Sequence, residues 1–438
     1  MNFDCLEVEV MAKEGIGGTL FSRNPFFKFS VATLLLVITQ QSSAAAFALH
    51  EQSTTYMGTA FAGTTSPLIP DASSTYYNPA SLSDMRNNQM LLSGIYYYGN
   101  IKLYNATARN NLGAAVAANS VSRPASNAVI PGISLALRLN KDVVFGFSVN
   151  APFGLNTRYD DTSIARYMGT ISKIESVNLN PSLSYKINNQ FALGAGFDAM
   201  RIKATLNSAI FYGVEGYVNN TGHAWTYGYH LGVQYTPARD TRMGLVYFSI
   251  FNPHVTGTVA SFGYPISPAP TLLNSDIKLP DRLVYSVTHQ YNEHWEGVGE
   301  LELTHWSRLS QLRINYNNGR YTQEDLNYQN TFRLALGANY HYSNAWLFKG
   351  GLALDQSPVK TAYRNVRLPD ADRLWIALGT KYTLNKYLSL DAAYSHLFFK
   401  GASISERGVV PGDTAKRLYG NYKSSADLVG VQLTWNFV

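Results

Sequence analysis

One cysteine, few charges and no long apolar run set the first limits on this chain of 438 residues. Cys5 is the sole thiol, and it lies in a segment expected to be removed. A mature chain without it has no disulfide, no thiolate metal site and no cysteine nucleophile. Charged residues make up 15% of the chain, against about 25% in a soluble domain, which argues against an ordinary cytosolic enzyme. The aromatic content of 13% excludes a disordered chain. The 35 basic and 29 acidic residues, net +6, are scattered rather than blocked, so nucleic acid is not an expected partner. No stretch reaches the roughly 20 apolar residues of a membrane-spanning helix.

What is present begins with an export signal. Phe29 to Thr39 reads FSVATLLLVIT, preceded by Arg23 and Lys28 and followed by Ser42, Ser43 and Ala44 to Ala46. A basic flank, a short apolar core and small residues describe a secretory signal peptide over 1–44, with Met11 a possible true start. An exported chain with no helical anchor is periplasmic, secreted, or a barrel in the outer membrane of a Gram-negative bacterium.

The remainder alternates with a period of two. Val429, Val431, Leu433, Trp435 and Phe437 share one face, and Gly430, Gln432, Thr434 and Asn436 share the other. An aromatic residue near the C-terminus on the apolar face suits recognition by the barrel-assembly machinery. Similar runs predict fourteen strands, near 88–102, 129–139, 143–150, 174–187, 191–205, 222–236, 241–249, 279–291, 295–305, 330–342, 346–355, 371–383, 387–397 and 425–437. Short turns alternate with long loops, which is the arrangement of a transmembrane barrel. The other strand face reads as small and uncharged, so a sandwich with that face in water is disfavoured. Trp225, Trp295, Trp346, Tyr235 and Tyr291 near strand ends suit an interfacial girdle. The fold class is therefore all-β, a 14-stranded antiparallel transmembrane barrel over 88–438.

Fourteen strands leave a lumen. Residues 45–87, rich in Ser, Thr, Ala and Gly but holding Leu49, Met57, Phe61, Leu68 and Ile69, are expected to fill it as an N-terminal plug. Here the chain resembles the FadL family of outer-membrane long-chain fatty acid transporters. The resemblance is carried by Ala45 to Glu51, Asn78-Pro79-Ala80, Pro152-Phe153-Gly154-Leu155, Leu179-Asn180-Pro181-Ser182, Leu279-Pro280-Asp281-Arg282, Trp306-Ser307, Asp355 to Val359 and Leu368-Pro369-Asp370. It implies passive, plug-gated diffusion of a fatty acid or similar hydrophobic molecule, with lateral exit through the wall, by a monomer surrounded by outer-membrane lipid. It also implies that Phe47 lines the pocket, that Asn78, Pro79 and Ala80 form the hatch motif, and that Lys203 (or Arg201, two residues away) and Arg313 meet the carboxylate. No cofactor and no metal site are expected.

Other functions are weighed from the same residues. The barrel-region histidines are dispersed, with no HExxH and no GxSxG, so no catalytic residues are nominated and an outer-membrane hydrolase is disfavoured. A general porin would want a charged constriction and an open lumen; a plug and sparse lumenal charge argue against it. Uptake of aromatic hydrocarbons or other apolar compounds remains the alternative. Apolar residues in 106–129 and 250–275 (Phe251, Val255, Phe262, Tyr264 and Ile266 among them) suggest a landing groove.

Overall fold

The computed structural model describes residues 47–263, 271–408 and 416–437. The signal peptide, Met11, Cys5, Tyr264 and Ile266 lie outside the described residues. Among the described residues twenty strands form one antiparallel sheet. They are β1 (Asn88–Ala108), β2 (Ala125–Arg138), β3 (Val143–Asn150), β4 (Gly154–Arg158), β5 (Ile171–Lys186), β6 (Phe191–Phe211), β7 (Glu215–Ala238), β8 (Thr241–Phe248), β9 (His254–Phe262) and β10 (Thr271–Asp276). Then follow β11 (Arg282–Gln290), β12 (Trp295–Thr304), β13 (Gln311–Tyr316), β14 (Tyr321–Asp325), β15 (Thr331–His341), β16 (Trp346–Asp355), β17 (Arg373–Thr383), β18 (Leu388–Phe399), β19 (Ala402–Arg407) and β20 (Lys416–Phe437).

Fourteen of these are the barrel staves, and β20 closes the wall by pairing with β1, Leu433 opposite Leu92. The six others extend the wall or form hairpins beyond it: β9 continues on β7, β13 pairs with β14, and β19 continues on β20. These short pieces lie in segments that read as loops, because five to nine residues of mixed character show no sustained alternation. Tight turns close the opposite end. At four of them one asparagine caps the turn: Asn140, Asn188, Asn292 and Asn385 each accept two backbone N–H bonds through Oδ1 at 2.8 to 3.0 Å. An Asx cap of this kind stands in for a backbone turn.

Alternation decides which face meets which medium. On β20, Val429, Val431, Leu433 and Trp435 are 42 to 56% exposed, while Gln432 and Thr434 are 1% exposed. A soluble sandwich would bury the former set; here the apolar residues form the outside. Aromatic pairs ring the short-turn end, with Trp346 and Tyr382 at 4.5 Å, Trp295 and Tyr340 at 4.7 Å and Phe191 and Tyr235 at 4.7 Å between centroids.

The inner face departs from expectation, because it is not sparsely charged. Glu296, Glu300, Glu302, Arg333, Lys349, Asp355, Arg373 and Asp391 are all buried inside β12 and β15 to β18. Most are tolerated because they meet an opposite charge: Arg373 lies 2.8 Å from Asp355, Lys349 3.1 Å from Asp391, Arg333 3.8 Å from Glu300 and Glu302 3.6 Å from Arg282. An unpaired charge there would be costly. Each strand contributes only one to three such residues, so the cluster is invisible until the strands are set side by side.

The wall predicts its own test. Val431→Arg puts a charge in the lipid-facing band and should destabilise the barrel by about 2–4 kcal/mol, read as urea unfolding in bilayers. The neighbouring Val431→Ala should cost far less.

Candidate functional site

Residues 47 to 86 lie against the inner face around its circumference. Ser53 Oγ donates to Gln432 of β20 at 2.8 Å, and Thr54 and Ser93 of β1 share a hydroxyl bond at 2.9 Å. Thr64 N–H donates to Glu300 of β12 at 2.8 Å and Thr65 N–H to Ser286 of β11 at 3.0 Å. Lys349 of β16 donates to the Thr55 carbonyl at 2.8 Å, and Ser182 and Ser184 of β5 donate to the Thr75 and Ala80 carbonyls at 3.1 Å. The inner Ser, Thr, Gln and Glu side chains therefore satisfy the backbone of a segment with little regular structure of its own.

Asn78-Pro79-Ala80 opens a 3₁₀ turn, Pro79–Asp84. Asn78 Oδ1 accepts from Ala80 N–H at 3.0 Å, and Nδ2 donates to the Thr65 carbonyl at 2.6 Å. The motif sits on two facing glycines, Gly194 of β6 and Gly232 of β7. A Cβ on Gly194 would overlap the Ala80 nitrogen, and one on Gly232 would overlap Asn78 Oδ1. His230, next on the same face, bonds Asp198 Oδ2 at 2.9 Å and the Thr75 carbonyl at 3.1 Å, so it holds the segment rather than a substrate.

Above this polar layer lies an apolar one. Phe47 packs edge-on against Trp306 at 5.0 Å and against Phe153 at 6.0 Å; Phe153 meets Phe251 at 6.2 Å and Trp306 meets Tyr328 at 6.1 Å. Met200, Ile202, Leu279, Leu309, Val359 and Leu368 complete the cluster, all buried. Loops supply most of it: Trp306 from the 3₁₀ turn after β12, Phe153 from the break between β3 and β4, and Phe251 and Leu279 from a bridged pair between β8 and β11.

Two cations flank this cluster, Arg282 partly buried and Arg373 buried. Arg282 donates to Tyr76 Oη at 2.6 Å, lies 3.6 Å from Glu302 and stacks over the Phe248 ring at 3.9 Å. It lines a cavity of about 30 Å³ with Ala48, Phe153 and Phe251. Arg373 lines another of about 30 Å³ with Tyr97, Leu155 and Leu368. Neither was singled out by sequence reasoning. The repeat Leu279-Pro280-Asp281-Arg282 and Leu368-Pro369-Asp370…Arg373 was the available signal.

A family model described as Outer membrane protein transport protein (OMPP1/FadL/TodX) matches residues 35–437. The chain belongs to this family. The long-chain fatty acid transport protein of Escherichia coli is 25% identical over 425 residues, 87% of this chain and 94% of the relative. An outer membrane protein of Haemophilus influenzae is 28% identical over 453 residues, 93% and 98% of the two chains. The crystal structure of a Pseudomonas aeruginosa FadL homologue matches with a TM-score of 0.83 at 23% identity, over 90% of this chain and 100% of that one. The protein is one of the Gram-negative outer membrane.

In this FadL-family barrel the nominated site residues separate. Phe47 enters the buried aromatic cluster. Lys203 is 52% exposed on the outward face of β6, 4.0 Å from Glu175, and Arg201 shares that face. Arg313 is exposed on β13, where it donates to Asn315 at 2.9 Å and covers the Tyr321 ring at 4.0 Å. The parity of β6 turns Lys203 away from the lumen, which a one-dimensional match cannot reveal. Of the apolar loop residues, Phe251 and Val255 are buried in the cluster and Phe262 is exposed.

Beside Phe47, two titratable groups are sealed in. Burial pushes the Glu51 carboxyl up to about 7, and neither oxygen has a hydrogen-bond partner among the described residues. Burial and nearby Arg333 hold His50 well below its ordinary 6.5. Below about pH 7 Glu51 therefore stays protonated in its buried site, and its contribution to docking is lost as pH rises through about 7. His50 acts in the opposite sense, but only below about 6.5.

Protease access to residues 47–86 should rise between pH 6.5 and 8, where Glu51 loses its proton, and Glu51→Gln should make that rise smaller. Gly194→Leu should push Asn78-Pro79-Ala80 off its seat and raise single-channel conductance in planar bilayers several-fold, while Gly401→Leu, with no neighbouring atoms in reach, should leave it unchanged.

Proposed function

We propose that this protein passes long-chain fatty acids, or molecules of like shape and polarity, across the outer membrane by plug-gated diffusion, with 47–87 as the movable hatch. The observation that carries the reading is the buried aromatic cluster around Phe47, flanked by Arg282. A tail of about 15 methylenes gains on the order of 12 kcal/mol gross on burial, before binding costs. The carboxylate needs a cation, since a lone buried charge is expensive. Arg282, in contact with the apolar cavity, suits that role better than Lys203 or Arg313, whose side chains face solvent or lipid.

The hydrogen bonds that hold the hatch support reversible movement, since each contributes only about 1 kcal/mol net because water replaces it; the apolar contacts of Met57 and Phe61 with Trp375 and Leu397 oppose its release.

A neutral aromatic cargo is the second reading. It is favoured by the ring content of the cluster, since Phe47, Phe153, Phe251, Trp306 and Tyr328 offer edges and faces that would pack a small arene. Catalysis plays no part in either reading.

Uptake of labelled oleate and labelled toluene by cells expressing the protein separates them. Phe47→Ala should reduce both several-fold. Arg282→Leu should reduce oleate uptake about tenfold and spare toluene, and Arg282→Lys should restore part of the oleate uptake. Equal loss of both cargoes in Arg282→Leu, with a normally folded barrel, would remove Arg282 as the carboxylate partner. Unchanged oleate uptake in Phe47→Ala would remove the cluster as the site.

A further inference from the structure

On the outer face of β1 and β20 the lipid-facing strip ends in lysine. Lys102 stands directly opposite Lys423 in the β1–β20 pair. On the other flank of β20, Phe398 of β18 stands opposite Ser425. Lys400 lies between that pair and the next, Ala402 opposite Tyr422, and so near the level of Lys423. Lys400 and Lys423 are exposed, and the alternating neighbours Leu103 and Tyr422 point inward and are buried. Like charges directly opposite each other destabilise an antiparallel pair.

No described residue relieves this row. Among the described residues no ion pair joins any of the three lysines to a carboxylate, and Lys102 has only the Tyr104 ring at 5.8 Å. The nearby acids are engaged elsewhere. Asp427 accepts from Tyr394 at 2.6 Å and from His396 at 2.7 Å, and Asp372 accepts from the Ser357 N–H at 3.0 Å.

The height of the row is informative. From Trp435, in the girdle at the short-turn end, to Lys423 the strand climbs roughly 30 Å, at about 3.3 Å per residue and about 40° tilt. The apolar band of such a barrel is about 25 Å tall. The lysines therefore sit just beyond its extracellular border. Beneath them Tyr96, Tyr98, Tyr394, Phe398 and Val429 are 44 to 53% exposed and form an apolar strip, interrupted by the His396–Asp427 pair.

We infer that this face holds a phosphorylated glycolipid of the outer leaflet, its phosphates on Lys102, Lys400 and Lys423 and its acyl chains along the strip below. Three neighbouring cations with no counter-ion among the described residues call for more than one negative charge. A phosphomonoester carries about −1.5 to −2 at neutral pH, whereas a phosphodiester lipid carries about one. The inferred site is on the outside of the wall and is independent of the cargo path.

The test is native mass spectrometry of the mature barrel in neutral detergent, with three added lipids: a bis-phosphorylated acylated disaccharide, its dephosphorylated form, and phosphatidylglycerol. Adducts with the first should exceed those with either of the others at least tenfold. Replacing all three residues by glutamine (Lys102→Gln, Lys400→Gln, Lys423→Gln) should reduce the adducts at least tenfold, and arginine at the same positions should retain them. Lys141→Gln, in a turn at the opposite end, should change nothing. Equal binding of phosphatidylglycerol, of the dephosphorylated lipid, or of the glutamine triple would overturn the inference. Should the glutamine triple fail to fold, the three lipids on the unaltered barrel decide it alone.

Discussion

Hydrocarbon offers no hydrogen-bond partner, so every backbone N–H and C=O within the wall has to be paired by another strand. That constraint sets the rest of the structure. It forces closure of β20 on β1, it leaves alternate residues facing two different media, and closure at fourteen staves leaves an interior too wide for wall side chains to fill. The N-terminal segment then enters with its own unpaired backbone. The small hydroxyl and amide side chains of the inner face follow from that: Ser93, Ser182, Ser184, Ser286 and Gln432 are placed to bond it.

The same accounting explains why the inner face carries charge at all. A hydroxyl satisfies one group, whereas Glu300 accepts from both the N–H and the hydroxyl of Thr64, at 2.8 and 2.5 Å. Each such carboxylate then needs a cation, and Arg333, in pairing with Glu300, also reaches the Ala60 carbonyl. Charge enters in matched sets that fix one docking register for the segment. Where the segment comes closest to the wall, glycine replaces these side chains, as at Gly194 and Gly232 under Asn78-Pro79-Ala80. Side chains that hold and glycines that make room are two answers to one geometry.

The staves were legible because alternation is local: each of the fourteen predicted runs corresponds to one. The turns were legible too, since asparagine caps write themselves into the sequence. What could not be read is what depends on phase and on neighbours. Lys203 lies on a correctly placed strand, but its inward or outward sense depends on register. The ionic pairs Arg373–Asp355 and Lys349–Asp391 join residues on adjacent or next-adjacent strands, 18 and 42 positions apart. Phe47 was reached only through resemblance, because a single phenylalanine ahead of the first strand has no periodic context. Arg282 and Arg373 stood in plain view in two Leu-Pro-Asp motifs, yet the apolar cavities they line, which make them notable, are a property of the closed barrel.

The contact between Phe47 and the wall ties site and wall together. Asn150 faces Asn178 and Gly154 faces Glu175, so the strand that becomes β4 carries one extra residue at Pro152-Phe153. Pro152 has no N–H to give to the sheet, and pairing lapses there. The N-terminal segment fills the lapse: Leu49 N–H donates to the Pro152 carbonyl and Gly154 N–H to the Phe47 carbonyl, both at 2.8 Å. Ser176 completes it, donating to the Phe153 carbonyl at 2.5 Å while accepting the Phe153 N–H at 3.0 Å. Withdrawing Phe47 from its aromatic neighbours would therefore also unpair two backbone groups of the wall. The ring contacts and the backbone bonds are lost or kept as one unit, so the packing of Phe47 and the pairing of the wall at Pro152-Phe153 depend on each other.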